Sequence, residues 1–96
     1  GLSGTITDQT TAQPIPNTII LAIGPTGITG ATTTNPNGTY TLTGLTPGTY
    51  RIAFVDPTGN HTIEYFDNKP DFGTANTLNI TAATTLTGVD ATLTRP

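Results

Sequence analysis

Between Thr34 and Ile52 the chain reads Thr-Asn-Pro-Asn-Gly-Thr-Tyr-Thr-Leu-Thr-Gly-Leu-Thr-Pro-Gly-Thr-Tyr-Arg-Ile, which sets two alternating runs beside two turn signals. Asn37-Gly38 tolerates positive φ, and Pro47-Gly48 pairs a preset φ with a free one, so the chain is expected to reverse at both places. Tyr40 and Leu42 fall on one side of the first run, with Thr39, Thr41 and Thr43 on the other. Tyr50, Ile52 and Phe54 then oppose Thr49, Arg51 and Ala53. A strand whose period is two and whose sides differ in polarity buries one face and wets the other.

The rest of the chain repeats this grammar. Strands are expected near Leu2–Thr7, Thr18–Ile23, Ile28–Thr34, Thr39–Thr43, Thr49–Val55, Thr62–Phe66, Thr77–Ile80 and Gly88–Thr94. Short strands at about 8 to 12 residue spacing are the mark of a β-sandwich. Threonine supplies 25 of 96 residues, which favours strands, and no segment reads as a helix. The length suits one domain over residues 1–96 with a modest core. Alternation assigns that core to Leu2, Ile6, Ile20, Ala22, Tyr40, Leu42, Leu45, Tyr50, Ile52, Phe54, Leu78, Ile80, Val89, Ala91 and Leu93. A start at Gly1 rather than Met suggests a module of a longer or processed chain.

Asn35-Pro-Asn-Gly-Thr-Tyr40 followed by Leu45-Thr-Pro-Gly-Thr-Tyr50 resembles the central motif of carboxypeptidase regulatory-like domains. Gly4-Thr-Ile-Thr-Asp8 resembles the opening strand of that family, Gln13-Pro-Ile-Pro-Asn17 its proline-marked approach to the second strand, and Gly88-Val-Asp-Ala-Thr-Leu93 its closing strand. The resemblance implies an all-β, seven- to eight-stranded antiparallel Greek-key sandwich of prealbumin-like type. It also implies an accessory or spacer module of secreted proteins, extracellular or at the cell surface, with no chemistry or cofactor of its own.

Composition narrows the partners. Three basic residues against six acidic ones leave no cationic surface for phosphates, so nucleic acid is excluded as a partner. The longest apolar run, Ile19 to Ile23, is far short of a membrane span, so no membrane insertion is expected. The lack of cysteine excludes thiol catalysis and cysteine metal sites.

Few residues offer chemistry. His61, the sole histidine, sits in turn sequence and reads as solvated, and Ser3, the sole serine, opens the first strand, so a Ser-His-Asp triad is not expected. Glu64, Asp67 and Asp71, with Asp56 nearby, are hard oxygen ligands suited to calcium, but their spacing matches no EF-hand, and solvated loop charge is the plainer reading. Tyr65, Phe66 and Phe72 form a candidate aromatic platform for carbohydrate, against the reading that they cap a sandwich edge. Lys69, the only lysine, lies in the same loop, away from any core position where a covalent cross-link would form.

Ile19-Ile-Leu-Ala-Ile23 breaks the alternation. With Ile20 and Ala22 facing inward, Ile19, Leu21 and Ile23 face outward as a candidate interface, to be covered either by the Asp56–Asn76 loop or by another copy. Two functions follow: a non-catalytic structural module acting as spacer or filament subunit through contacts with copies of itself or neighbouring modules, or alternatively a carbohydrate- or ligand-binding accessory domain.

Overall fold

The structure, a computed structural model, describes residues 1–66, 73, 75–81 and 85–94. Among them are eight strands and no α-helix: β1 (Leu2–Asp8), β2 (Ile19–Gly24), β3 (Gly27–Thr33), β4 (Thr39–Leu42), β5 (Gly48–Val55), β6 (Glu64–Tyr65), β7 (Thr77–Ile80) and β8 (Ala91–Leu93). Each falls where alternation and turn chemistry place it. They form two sheets, β4-β1-β8 and β3-β2-β5-β6, with β7 paired to the first half of β5. All pairings between these strands are antiparallel but one. The second half of β1 pairs with β8 in parallel, Ile6 with Ala91 through Asp8 with Leu93. The sheets are antiparallel in the main, as expected; alternation fixes which face a residue occupies and is silent on strand direction, so this one parallel pair has no local signal.

The inner faces are those the sequence marks. Leu2, Ile6, Tyr40, Leu42, Ala91 and Leu93 from one sheet meet Ile20, Ala22, Tyr50, Ile52, Phe54 and Ile80 from the other, and all are buried. Among the described residues Phe54 is the largest wholly enclosed side chain, and Tyr40 meets it edge to face across the sandwich at 6.5 Å between ring centres. Burying a tyrosine requires a partner for its hydroxyl. Tyr40 donates to the Val89 carbonyl at 2.6 Å and Tyr50 to the Thr46 carbonyl at 2.6 Å. Burial, with the Asp90 charge adding to it, raises the Tyr40 pKa far above the usual phenol value. Leu45 and Leu78 are half-buried against this core rather than inside it.

Three buried apolar residues were not expected. Ile15 lies between two prolines in the β1–β2 loop, which folds back so that the Ile15 N–H donates to the Ile6 carbonyl. Ala53 is on the outer face, where larger cross-strand partners, Leu21 and Tyr65, flank its methyl group. Ala75 follows the irregular stretch after β6. None carries a local signal, because loop burial and shielding by neighbours are tertiary effects.

Candidate functional site

The inward-facing series on β1 runs Leu2, Gly4, Ile6 and then Asp8, and on β5 it runs Tyr50, Ile52, Phe54 and then Asp56. Continuing each strand one period past its apolar residues therefore places a carboxylate inside the sandwich end. Asp8 and Asp56 are both less than a tenth exposed. An isolated buried carboxylate is costly, so each needs partners. Asp8 Oδ1 accepts from the Thr10 and Thr11 N–H groups, at 2.7 and 3.0 Å. Asp56 Oδ1 accepts from the Thr58 N–H and hydroxyl, at 2.9 and 2.7 Å.

His61 joins the two. Its Nδ1 is 2.6 Å from Asp56 Oδ2 and its Nε2 is 2.7 Å from Asp8 Oδ2, and its side chain is only 8% exposed. The reading of His61 as a solvated loop histidine is thus corrected: the turn at Pro57–Asn60 points the ring inward between two carboxylates. Burial by itself would lower the His61 pKa, but the hydrogen bonds and charges of Asp56 and Asp8 outweigh it and the pKa rises. Burial would likewise raise the Asp56 pKa, yet the bonds from His61 and Thr58 hold it below the ordinary carboxylate value.

A cleft of about 420 Å³ opens beside this bridge. Its walls are the β1–β2 loop, with Gln13, Pro14 and Asn17, and the β5–β6 loop, with Thr58 and Asn60; Ile15 lines it as well. The first wall is held in an uncommon shape, with Ala12 at φ +58° and Asn17 at φ +60°. Left-handed backbone at a non-glycine residue costs of the order of 1–3 kcal/mol and persists only where surrounding bonds impose it. Here they do: Ala12 N–H donates to Asp8 O, Asp8 N–H to Gln13 O and Asn17 N–H to Thr34 O. The polar groups beneath are satisfied too, with the buried Thr34 hydroxyl donating to Ile15 O at 2.6 Å and accepting from Thr18 N–H at 2.9 Å.

This arrangement is ill suited to acyl transfer. A hydrolytic triad places a carboxylate on one ring nitrogen and a nucleophile on the other. Both nitrogens of His61 face carboxylates.

The other candidates are dispersed. Glu64 is half-buried at the edge of the inner face, where burial raises its pKa against the opposing bond from Thr94. Asp67 and Asp71 lie outside the described residues, as do Phe72 and Lys69, and among the described residues no group of three acidic or histidine side chains could hold a metal ion. Tyr65 opposes Ala53 on the outer face, while Phe66 packs against the core, so these two rings are split across the sheet. Ile19, Leu21 and Ile23 are half-buried on the outer face of the larger sheet. Cross-strand register puts them in three rows: Thr33–Ile19–Val55, Ala31–Leu21–Ala53–Tyr65 and Ile28–Ile23–Arg51–Thr77.

With eight strands among the described residues and its one histidine bridging two carboxylates, the chain is a small β-sandwich module. The sequence profile of the carboxypeptidase regulatory-like domain matches residues 1–94, and the chain belongs to that family. Domains of this family are small β domains and often non-catalytic. No curated protein matches the chain.

Proposed function

We propose that this chain is a non-catalytic structural module of an extracellular or cell-surface protein, a spacer or filament subunit whose larger sheet meets copies of itself or neighbouring modules. The observation that carries this reading is β3. It is seven residues long, has no charged residue and no proline, and among the described residues pairs on one side only. Edge strands normally carry charge, proline or a bulge that discourages pairing with another chain. β3 carries one of these devices, a bulge at Thr29 where its register with β2 shifts between Ala22 and Ile23, but neither charge nor proline. Ile28, on β3 and in register with Ile23, is 63% exposed, the most exposed large apolar residue described. The edge is thus continuous with the outward row of Ile23. Only nine of 96 residues are charged, so few ions would need desolvation if two such edges met.

Ile28→Lys places one charge on the exposed β3 edge without touching the core. It is expected to abolish or greatly weaken association, read by sedimentation and by electron microscopy, while stability stays within about 0.5 kcal/mol as for other exposed sites. The triple change of Ile19, Leu21 and Ile23 to threonine keeps strand propensity and removes apolar area, and is expected to act in the same direction. Assembly by the native chain that survives both variants would defeat the reading, as would a native chain that stays monomeric at high concentration.

The alternative of a ligand-binding accessory domain is favoured by one feature, the cleft beside His61, where the amides of Gln13, Asn17 and Asn60 surround the apolar Pro14, Ile15 and Pro16. Neither reading includes turnover. Ester, glycoside and peptide substrates are expected to be inert, and hydrolysis that vanished in His61→Ala would overturn the non-catalytic assignment.

A further inference from the structure

We infer that His61 is a protonation latch: as imidazolium it donates to Asp8 and Asp56 together and closes the β5–β6 loop across the sandwich end, and as neutral imidazole it lets that loop go. The geometry of the ring requires two donors. Nδ1 at 2.6 Å from Asp56 Oδ2 and Nε2 at 2.7 Å from Asp8 Oδ2 are both hydrogen-bond distances. A neutral imidazole has one N–H and one lone pair, so it can satisfy only one of these contacts and sets a lone pair against a carboxylate oxygen at the other. Imidazolium satisfies both.

The surroundings support the charged form. Among the described residues, the charged groups facing the ring are Asp8, from the end of β1, and Asp56, just past β5. Neither is free to turn away, since Thr10 and Thr11 hold one and Thr58 holds the other. Two fixed carboxylates beside one cation carry one net negative charge, which becomes two when the ring loses its proton, with a single ring N–H left between two enclosed like charges.

Among the described residues, the loop has little else to hold it. Residues 57–60 are exposed, and Gly59 N–H donates to Asp56 O within the turn itself. Beyond His61, the next anchor to the rest of the molecule is Thr62, whose N–H donates to Thr94 O at 2.8 Å. The same loop supplies Thr58, Asn60 and His61 to the cleft, so its release widens that cleft on the side opposite Gln13 and Asn17.

The direction with pH follows from the raised folded-state pKa of His61. Its stabilising contribution is complete below the unfolded value of about 6.5 and is lost as pH rises through the folded value. Asp56, whose folded-state pKa is lowered, keeps its charge on the acid side until pH falls through that lowered value. The latch is therefore closed below about pH 6.5 and opens as pH rises through the raised folded value.

His61 is the only histidine, so the full chain gives one set of ring signals. Nitrogen NMR of the imidazole, followed from about pH 5 to pH 10, is expected to show both ring nitrogens protonated at the acid end and a midpoint above about 6.5. Amide-exchange protection at Gly59–Thr62 should fall about tenfold or more across that midpoint while β2 and β5 keep theirs. A midpoint at or below about 6.5, or loop protection indifferent to the titration, would overturn the inference. His61→Gln retains a donor that cannot become charged, and should remove the pH dependence of loop protection; its persistence there would assign the effect to another group. Should that variant not fold, the titration of the native chain decides the matter by itself.

Discussion

Gly38→Val is expected to lower the urea midpoint by the equivalent of about 2 to 5 kcal/mol, because it meets two penalties at once. Gly38 has φ +75°, which an L side chain adopts only with strain. A Cβ built there would also lie 2.6 Å from Pro14 Cβ and 2.8 Å from the Ile6 carbonyl oxygen, and neither can swing aside. Pro14 is fixed by its ring and by the bridge it makes with Thr7, and Ile6 belongs to a central strand. The turn has no slack either. Asn35 Oδ1 accepts from Asn37 and Thr39 N–H, Gly38 N–H donates to Asn35 O, and Gly38 O accepts from Ile6 N–H at 2.8 Å. Gly38→Asn separates the two penalties, since asparagine tolerates positive φ but still brings a Cβ. If Asn restores the midpoint, backbone strain dominates; if it does not, the collision with Pro14 does. An unchanged midpoint in Gly38→Val would mean that the β1–β2 loop does not pack on this turn.

The same glycine shows what was legible in the sequence. Asn37-Gly38 announces a reversal through residue type alone, and the structure has its positive φ at Gly38. Nothing local announces that Pro14 closes over it, because contact between a loop and a turn 24 positions later is a product of the whole fold. The strands and the two inner faces were legible for the same reason as the turn: period and residue type are local. Strand direction in the β1–β8 pair was not, nor was the burial of Ile15.

The candidate site lay between these cases. Asp8 and Asp56 each continue the inward series of a strand by one step, Ile6 to Asp8 and Phe54 to Asp56, so their burial could have been read by extending the alternation past the last apolar residue. Their approach to one another could not, because it depends on β1 and β5 ending at the same end of the two packed sheets. His61 was misread for a related reason. Pro57-Thr-Gly-Asn makes an exposed turn, as its sequence says, and the residue that follows turns inward because two buried carboxylates await a cation there.

Gly4→Ala is expected to be the most damaging single methyl group in the chain, costing about 3 to 5 kcal/mol out of the roughly 5 to 14 kcal/mol that a domain of this size holds. Gly4 sits between Leu2 and Ile6 in the inward series of β1, where any side chain would point into the core. The segment leading to β8 occupies that space instead. A Cβ at Gly4 would overlap the Val89 carbonyl outright and reach Asp90 Oδ1 at 3.0 Å. Relief requires moving this segment off β1, and three bonds go with it: Val89 N–H to Ser3 O at 3.0 Å, Thr5 N–H to Asp90 Oδ1 at 2.8 Å, and the Tyr40 hydroxyl to Val89 O. The last is the costliest, since Tyr40 is the register partner of Gly4 on β4 and its buried hydroxyl would be left without an acceptor. The glycine thus admits the closing segment, and the opposing tyrosine fastens it. Thermal unfolding and amide exchange at Thr5 and Val89 report the two parts separately. A large drop in melting temperature with protection lost first at those amides is the expected result; a variant as stable as the native chain, with Val89 still protected, would mean that the closing segment does not pass beneath Gly4.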